Sequence, residues 1–311
     1  MNYLKDYREG EKFVGTYLCK QKQILKTKAG KTYYSLTLQD KTGTADGKIW
    51  ELNNGIANFE PMDYIHCEGM VTSFQGNLQM NISRVRISDE GEYDPADYVP
   101  CTNKDVGEMF SRILKYVASV QNKYLRKILE MYFVENKEFV DAFKKHSAAK
   151  SVHHGFMGGL LEHTLSVTDM CQYFAEHYPM IHRDLLITAA LFHDMGKIQE
   201  ISDFPMNDYT DDGQLLGHIY IGARCMENAA AQIPNFPPKL KNELVHCILA
   251  HHGKMEFGSP KVPAIMEAMA LHMADNADAK LQTLTEVFTQ AGDNMGSVSY
   301  THLRAHETGR N

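Results

Sequence analysis

Nowhere in its 311 residues does the sequence hold an apolar run of about 18 residues, which removes a membrane-spanning helix from consideration. The opening residues, Met1-Asn2-Tyr3-Leu4-Lys5-Asp6, have no apolar core, so no secretory leader is read there. Cysteine is sparse and scattered (Cys19, Cys67, Cys101, Cys171, Cys225, Cys247), with no CxxC spacing. That excludes a disulfide framework and a cysteine-built zinc knuckle, and it fits a reducing, cytoplasmic compartment. Internal repeats and low-complexity tracts are absent. Basic residues are also short, with 32 Lys and Arg against 39 Asp and Glu for a net charge of -7. A protein that coats nucleic acid by charge alone is thereby excluded, whereas one with a local basic patch is not. The deficit is uneven. Residues 1–90 hold 12 basic and 11 acidic side chains, residues 91–311 hold 20 and 28.

What is present points to two domains and a fold class of mixed α and β, a β-barrel followed by an all-α bundle. The length allows two domains, and an apolar fraction of 43 % supports an ordinary core. Residues from about 12 to 88 read as five short strands. They are Phe13–Leu18, Thr32–Asp40 with alternating apolar and polar residues, Ala45–Trp50, Tyr64–Val71 and Leu78–Ile82. Asp40-Lys41-Thr42-Gly43 reads as a turn and Gln75-Gly76-Asn77 as a hairpin. The segment between Trp50 and Asp63 has room for a short helix plugging one end of a barrel. This stretch, 1–88, resembles an OB-fold, most of all at Leu38-Gln39-Asp40-Lys41-Thr42-Gly43. The resemblance implies oligonucleotide binding by strands 2–3 and the neighbouring loops. The expected loop between strands 1 and 2 carries Lys20, Lys22, Lys26, Lys28 and Lys31 without an acidic residue among them. Tyr33, Tyr34, Trp50 and Phe74 are candidate stacking faces. The plainer alternative is a solvated basic loop, with half of those aromatics pointing into the barrel.

Residues 89–100, rich in Asp, Glu and Pro, read as a linker. Helical patterning begins beyond it. A connecting segment, 101–150, is expected to hold helices from the Thr102-Asn103-Lys104-Asp105 cap through Val120, from Lys123 to Phe133, and from Glu135 to Lys145. A second domain is read over 151–295. The helices of the connecting segment either brace that domain or form an interface, which leaves a homo-oligomer open. Asp208 to Gly213 signals a turn just before His218. The last residues, 296–311, including Ser297-Val298-Ser299-Tyr300-Thr301-His302, break the pattern without replacing it. They are expected to be a non-native, read-through tail and are left out of the functional reading.

Within 151–295 lie His163, His193-Asp194, His218, His251-His252 and Asp275, each near a helix end or turn. The helix with Leu185, Leu186, Ala189, Ala190 and Phe192 is apolar almost all round and so central. It ends at His193-Asp194, with Gly196 as the expected stop. His251 shares a helical stripe with Leu240, Leu244 and Ile248. Asp275 shares one with Ile265, Ala268, Met269 and His272. Single histidines at helix ends are usually caps or satisfied core residues, and His146, His177, His182, His246 and His272 are read that way. The joint set of seven is read as metal ligands. Imidazole and carboxylate donors suit Mn, Fe, Co, Ni or Zn, and the lack of cysteine argues against a structural zinc site. The chain therefore reads as a metal-dependent hydrolase.

The order H…HD…H…HH…D over 153–278 resembles the HD superfamily of metal-dependent phosphohydrolases. The motifs are Gly159-Leu160-Leu161-Glu162-His163-Thr164, His193-Asp194-Met195-Gly196-Lys197, Gly217-His218 and His251-His252-Gly253. With the barrel before it, the chain from about residue 3 to 290 is similar to the YhaM-type 3′–5′ exoribonucleases. That resemblance implies two divalent ions, Mn foremost with Co, Fe or Mg open. His163, His193, Asp194 and Asp275 would hold one, and His218, His251 and His252 the other, with Asp194 bridging. Asp194 and Lys197 would be the catalytic residues, Lys197 at the scissile phosphate. The plainer reading of Lys197 is a helix-end lysine offsetting the dipole. His153 and His154 are candidate substrate contacts. The implied substrate is single-stranded RNA, with single-stranded DNA open, and the products are nucleoside 5′-monophosphates. Two other readings stay open: an HD phosphohydrolase of small or cyclic nucleotides, and a single-stranded-DNA-binding OB protein with a regulatory HD domain.

Overall fold

Alternating residues along the first hundred positions give the barrel its two faces. In the computed structural model, which describes residues 2–53, 55–150 and 154–291, β1 (Lys12–Lys26), β2 (Thr32–Asp40), β3 (Gly43–Ile49), β4 (Tyr64–Phe74) and β5 (Asn77–Ile87) close into a barrel. Their order is β1-β2-β3-β5-β4, with β3 and β5 parallel and every other pair antiparallel. Phe13, Tyr17, Leu36, Leu38, Ile49, Ile65, Val71 and Met80 fill the interior. A register shift between Cys19 and Gln21 lets one long strand serve two partners, β4 through Lys12–Leu18 and β2 through Leu18–Lys26. The β4–β5 hairpin turns on Gln75 (φ 53°) and Gly76 (φ 83°), two consecutive left-handed residues that match the right-handed strand twist. At the β2–β3 turn the buried Asp40 accepts from the Thr42 amide at 2.7 Å and from the Leu4 amide at 2.6 Å.

Three local expectations change. First, the basic loop is mostly strand. Lys20, Lys22 and Lys26 lie on β1, because pairing with β2 continues to Lys26 opposite Thr32; only Lys28 sits in the turn, and Lys31 closes it. Second, no helix occupies the described residues between Trp50 and Asp63; the buried Phe59 fills the barrel interior there, and Ile56 bridges to Val85. Third, the segment 89–100 packs on the barrel. Gln39 donates to the Tyr98 carbonyl at 2.9 Å, Lys41 pairs with Asp97 at 2.7 Å, and Tyr93 stacks on Tyr64 with centroids 4.1 Å apart.

The chain divides into units 1–100 and 101–311. In the second, nine α-helices are described: α1 (Val106–Ser119), α2 (Lys123–Phe133), α3 (Lys137–Lys145), α4 (Gly159–His177), α5 (Arg183–Phe192), α6 (Lys197–Glu200), α7 (Asp211–Ala231), α8 (Pro238–Ala250) and α9 (Met266–Ala291). Side chains cap their starts: Asp105 accepts from the Glu108 amide, Asn122 from Tyr124, Asn136 from Phe139 and Thr210 from Gly213. The Asn136 cap starts α3 two residues later than Glu135. α5 is buried from Leu185 to Phe192, and α4, α8 and α9 pack around it over one continuous apolar core. Among the described residues no helix is long and apolar enough to cross a membrane. His153 and the tail fall outside the described residues.

Candidate metal centre

α5 delivers His193 and Asp194 into the core. Because its apolar residues point in all directions, the chain directly after Phe192 is still deep inside the unit, and His193 and Asp194 are both buried. Gly196 does not end the helix in a left-handed turn. It is right-handed (φ -63°, ψ -21°), and a Cβ there would stand 2.1 Å from the His218 carbonyl oxygen. Glycine is required at 196 for close approach of α7. That helix kinks at Gly217, whose φ of 72° few other residues tolerate, and the kink turns His218 inward. The turn expected over 208–213 is shorter than read, since α7 begins at Asp211. α8 ends at Ala250 with His251 as its cap, and α9 carries Asp275.

Seven side chains converge. The carboxylate of Asp194 faces two ways. Its Oδ2 lies 3.4 Å from His163 Nε2 and 3.5 Å from His193 Nε2. Its Oδ1 lies 3.5 Å from His218 Nε2 and 3.6 Å from His251 Nε2. Asp275 Oδ1 joins the first group at 3.3 Å from His163 Nε2. The donor atoms of His163, His193 and Asp275 lie within 4.8 Å of one another, as do those of His218, His251 and His252. Lys197 Nζ stands 2.7 Å from Asp194 Oδ2.

Both Asp194 oxygens, His218 Nε2 and His251 Nε2 are buried without a hydrogen bond of good geometry. Polar atoms in a protein interior are almost always satisfied, because leaving one unpaired costs about 1–3 kcal/mol. Four such atoms around one point fit divalent ions, and the imidazole and carboxylate donor set suits first-row transition metals. The charges agree. Burial opposes a charged imidazole at His163, yet the carboxylates of Asp194, Asp275 and Asp278 hold its pKa well above the usual histidine value. Burial likewise opposes charge on Asp194 and Asp275. Lys197 and the histidines nevertheless hold the first well below the carboxylate range, and the histidines do so for the second. Burial pushes His193 down to about 4, and burial with His251 and His218 alongside pushes His252 well below its usual value. Carboxylates held ionised in the protein interior, beside His193 and His252 held below the usual histidine range, fit a cation at this point.

His154 is buried behind this set. Its Nε2 donates to Asp278 Oδ2 at 3.0 Å, and Asp278 also accepts from His163 Nδ1 at 2.7 Å. His272 donates to the His251 carbonyl at 2.9 Å. His146, His182 and His246 are occupied elsewhere, with backbone carbonyls, the α5 cap and the Ala264 amide. Three supporting residues are not singled out by the sequence: Asp278, Ser166 and Glu200. Ser166 and Asp278 each lie three positions beyond a proposed ligand, His163 and Asp275, on the same helix face. That spacing was the available signal.

On the barrel, Tyr33 and Trp50 stack at 4.6 Å on the outside, and Phe74 is exposed. Tyr34 turns toward the core, edge-on to Phe59. Lys22 is committed to the Phe59 carbonyl at 2.5 Å and Lys31 to Glu51 at 3.3 Å.

The fold and the convergence of histidines and aspartates on Asp194 define an HD-domain protein with a β-barrel ahead of it, and the HD domain family model matches residues 160–280. The proteins named 3′–5′ exoribonuclease YhaM are similar over nearly the whole chain. The one from Geobacillus sp. (strain WCH70) is 32% identical over 257 residues, covering 82% of this chain and 78% of its own length. That of Listeria innocua is 32% identical over 293 residues, covering 91% and 90%. The chain belongs to the YhaM 3′–5′ exoribonuclease family.

Proposed function

We propose that the chain removes nucleotides from the 3′ end of single-stranded RNA by metal-assisted hydrolysis of phosphodiester bonds, releasing nucleoside 5′-monophosphates. The observation that carries this reading is the buried, two-faced carboxylate of Asp194, with a separate histidine group on each oxygen. His163, His193, Asp275 and Asp194 would hold one divalent ion, and His218, His251, His252 and Asp194 a second, with Mn the first candidate. Such ions, when bound, lower the pKa of water to near neutrality and offset charge on phosphoryl oxygens.

The chain's own residues do the rest. The imidazoles leave Nε2 free to face an ion, because their Nδ1 atoms are engaged behind them. Lys197 contributes a positive charge beside Asp194 Oδ2, where it neutralises excess carboxylate charge and lies ready for a phosphate oxygen. Burial keeps bulk water from competing at the carboxylate. In the barrel, the exposed Tyr33–Trp50 stack and Phe74 offer π-faces to unpaired bases, with Lys20, Lys26 and Lys28 near them in sequence for the backbone.

The test is a gel assay of 5′-labelled single-stranded RNA with metal-stripped protein and added Mn²⁺, run beside Asp194→Ala and beside single-stranded DNA. A Mn²⁺-dependent ladder shortening from the 3′ end, absent in the variant, supports the reading. Equal shortening of DNA would widen the substrate. Absence of any cleavage, with mononucleotides or cyclic nucleotides hydrolysed instead, would refute it.

A further inference from the structure

All five imidazoles around Asp194 have Nδ1 engaged, but not in the same way. His193 donates to the Ala190 carbonyl at 2.8 Å, His251 to Ile248 at 2.7 Å and His252 to Phe257 at 2.8 Å. The other two donate to carboxylates. His163 Nδ1 lies 2.7 Å from Asp278 Oδ2, and His218 Nδ1 lies 3.0 Å from Glu200 Oε1. One carboxylate-backed histidine therefore falls in each group.

The difference is chemical. An ionised carboxylate, like a carbonyl, only accepts, so it fixes the proton on Nδ1 and leaves Nε2 as the donor atom. It also brings a negative charge, which makes the ring a more basic ligand. Both carboxylates are held in place by further hydrogen bonds. Asp278 is gripped on Oδ1 by the Ser166 hydroxyl and on Oδ2 by His154 at 3.0 Å. Glu200 accepts a second bond from the His218 backbone amide at 2.9 Å, directly after the Gly217 kink, so it sets both the ring and the chain that carries it. Their neighbourhoods do not overlap. The side chain of Asp278 meets His154, His163 and Ser166, and that of Glu200 meets His218.

We propose that Asp278 and Glu200 are a matched pair of positioning residues, each setting the tautomer and cation affinity of one ion position and leaving the other alone. This rests on the two-ion reading above. It makes the two positions separately adjustable: Asp278 tunes the one that includes Asp275, and Glu200 the one built from three histidines.

The experiment titrates full-length, metal-stripped protein with Mn²⁺ and reads free Mn²⁺ by electron paramagnetic resonance. Wild type should take up two ions. Asp278→Asn should weaken one site about 10–100-fold, the range seen when such outer partners are removed. Glu200→Gln should weaken the other by a similar factor. Asp275→Asn identifies which is which: in that background Asp278→Asn should leave the surviving site unchanged, and Glu200→Gln should weaken it. Far-UV circular dichroism of each metal-free variant checks folding. Ser166→Ala, which loosens Asp278 without removing its charge, should give a smaller loss at the same site and stands in should Asp278→Asn fail to fold. Folded variants that bind both ions as wild type does, or a variant that weakens both sites alike, would overturn the proposal. Wild type that binds no Mn²⁺ would overturn the two-ion reading itself, and this pairing with it.

Discussion

The two units keep their chemistry-bearing side chains in opposite ways. On the barrel they are exposed and paired with one another: Trp50 stacks on Tyr33 and donates to Asn81 at 3.0 Å, and Lys31 pairs with Glu51. In the helical unit they are buried, and among the described residues five of their polar atoms, on His154, Asp194, His218 and His251, have no hydrogen bond. Exposure with a partner is the ordinary state of a polar surface and says little about a ligand. Burial without a partner is costly, and it persists where something else supplies the missing contact. The helical unit thus announces a site on its own, while the barrel offers a face whose role depends on what meets it.

The largest effect expected of any single change is that of Asp194→Ala. RNA shortening should fall by more than about 10³-fold, since both proposed ion positions would lose their shared ligand. Affinity for single-stranded RNA, read by anisotropy, should stay near that of wild type if the barrel supplies it. A variant that still shortens RNA at the wild-type rate would erase the distinction between the units.

Two tight glycines give a matched pair. A Cβ on Gly69 would stand 2.0 Å from the Asn81 carbonyl oxygen in the barrel, and one on Gly196 would stand 2.1 Å from that of His218. Gly69→Ala and Gly196→Ala should each lower stability in denaturant by about 1–3 kcal/mol, the usual cost of overpacking. Only Gly196→Ala should also weaken Mn²⁺ binding, because the backbone it displaces carries a proposed ligand. Equal Mn²⁺ affinity in the two would count against the placement of His218.

A smaller effect is expected on the barrel. Trp50→Ala or Tyr33→Ala should weaken RNA binding about tenfold, as one lost base stack would. Trp50 is the single tryptophan of the chain, so its fluorescence should quench when an oligonucleotide stacks on it. An oligonucleotide that binds without quenching would move the interface away from this face.

The smallest effect is kinetic. Burial pushes the Cys19 thiol up to about 12 and raises those of Cys67, Cys171 and Cys247 as well. Well below those values the reactive thiolate is scarce. At pH 8 the half-buried Cys101 should be alkylated first, ahead of Cys225, whose thiol burial also raises. The buried four should react only as each unit opens, Cys19 and Cys67 reporting the barrel and Cys171 and Cys247 the helices. Mass spectrometry that found Cys19 modified as fast as Cys101 would contradict a closed barrel.

Legibility in the sequence tracked periodicity. His251 and Asp275 were readable because they continue apolar helical stripes, and His193-Asp194 because the helix before them has no polar face. The second half of β1 was not, because Lys20 to Lys26 extends past the barrel interior and is largely exposed on both faces, with lysine or glutamine at five of its seven positions, which looks like a loop. Glu200 and Asp278 were missed for a related reason. An acidic residue on a helix ordinarily marks solvent, and only the fold shows that these two stand behind His218 and His163. At Gly196 a helix stop and a close approach leave the same letter in the sequence, and the structure shows the close approach.

The most direct test of the shared carboxylate is a crystal of the metal-stripped protein soaked in Mn²⁺, with an anomalous difference map. Two peaks should appear, one among His163, His193 and Asp275 and one among His218, His251 and His252, with Asp194 touching both. A single peak, or none against Asp194, would contradict it.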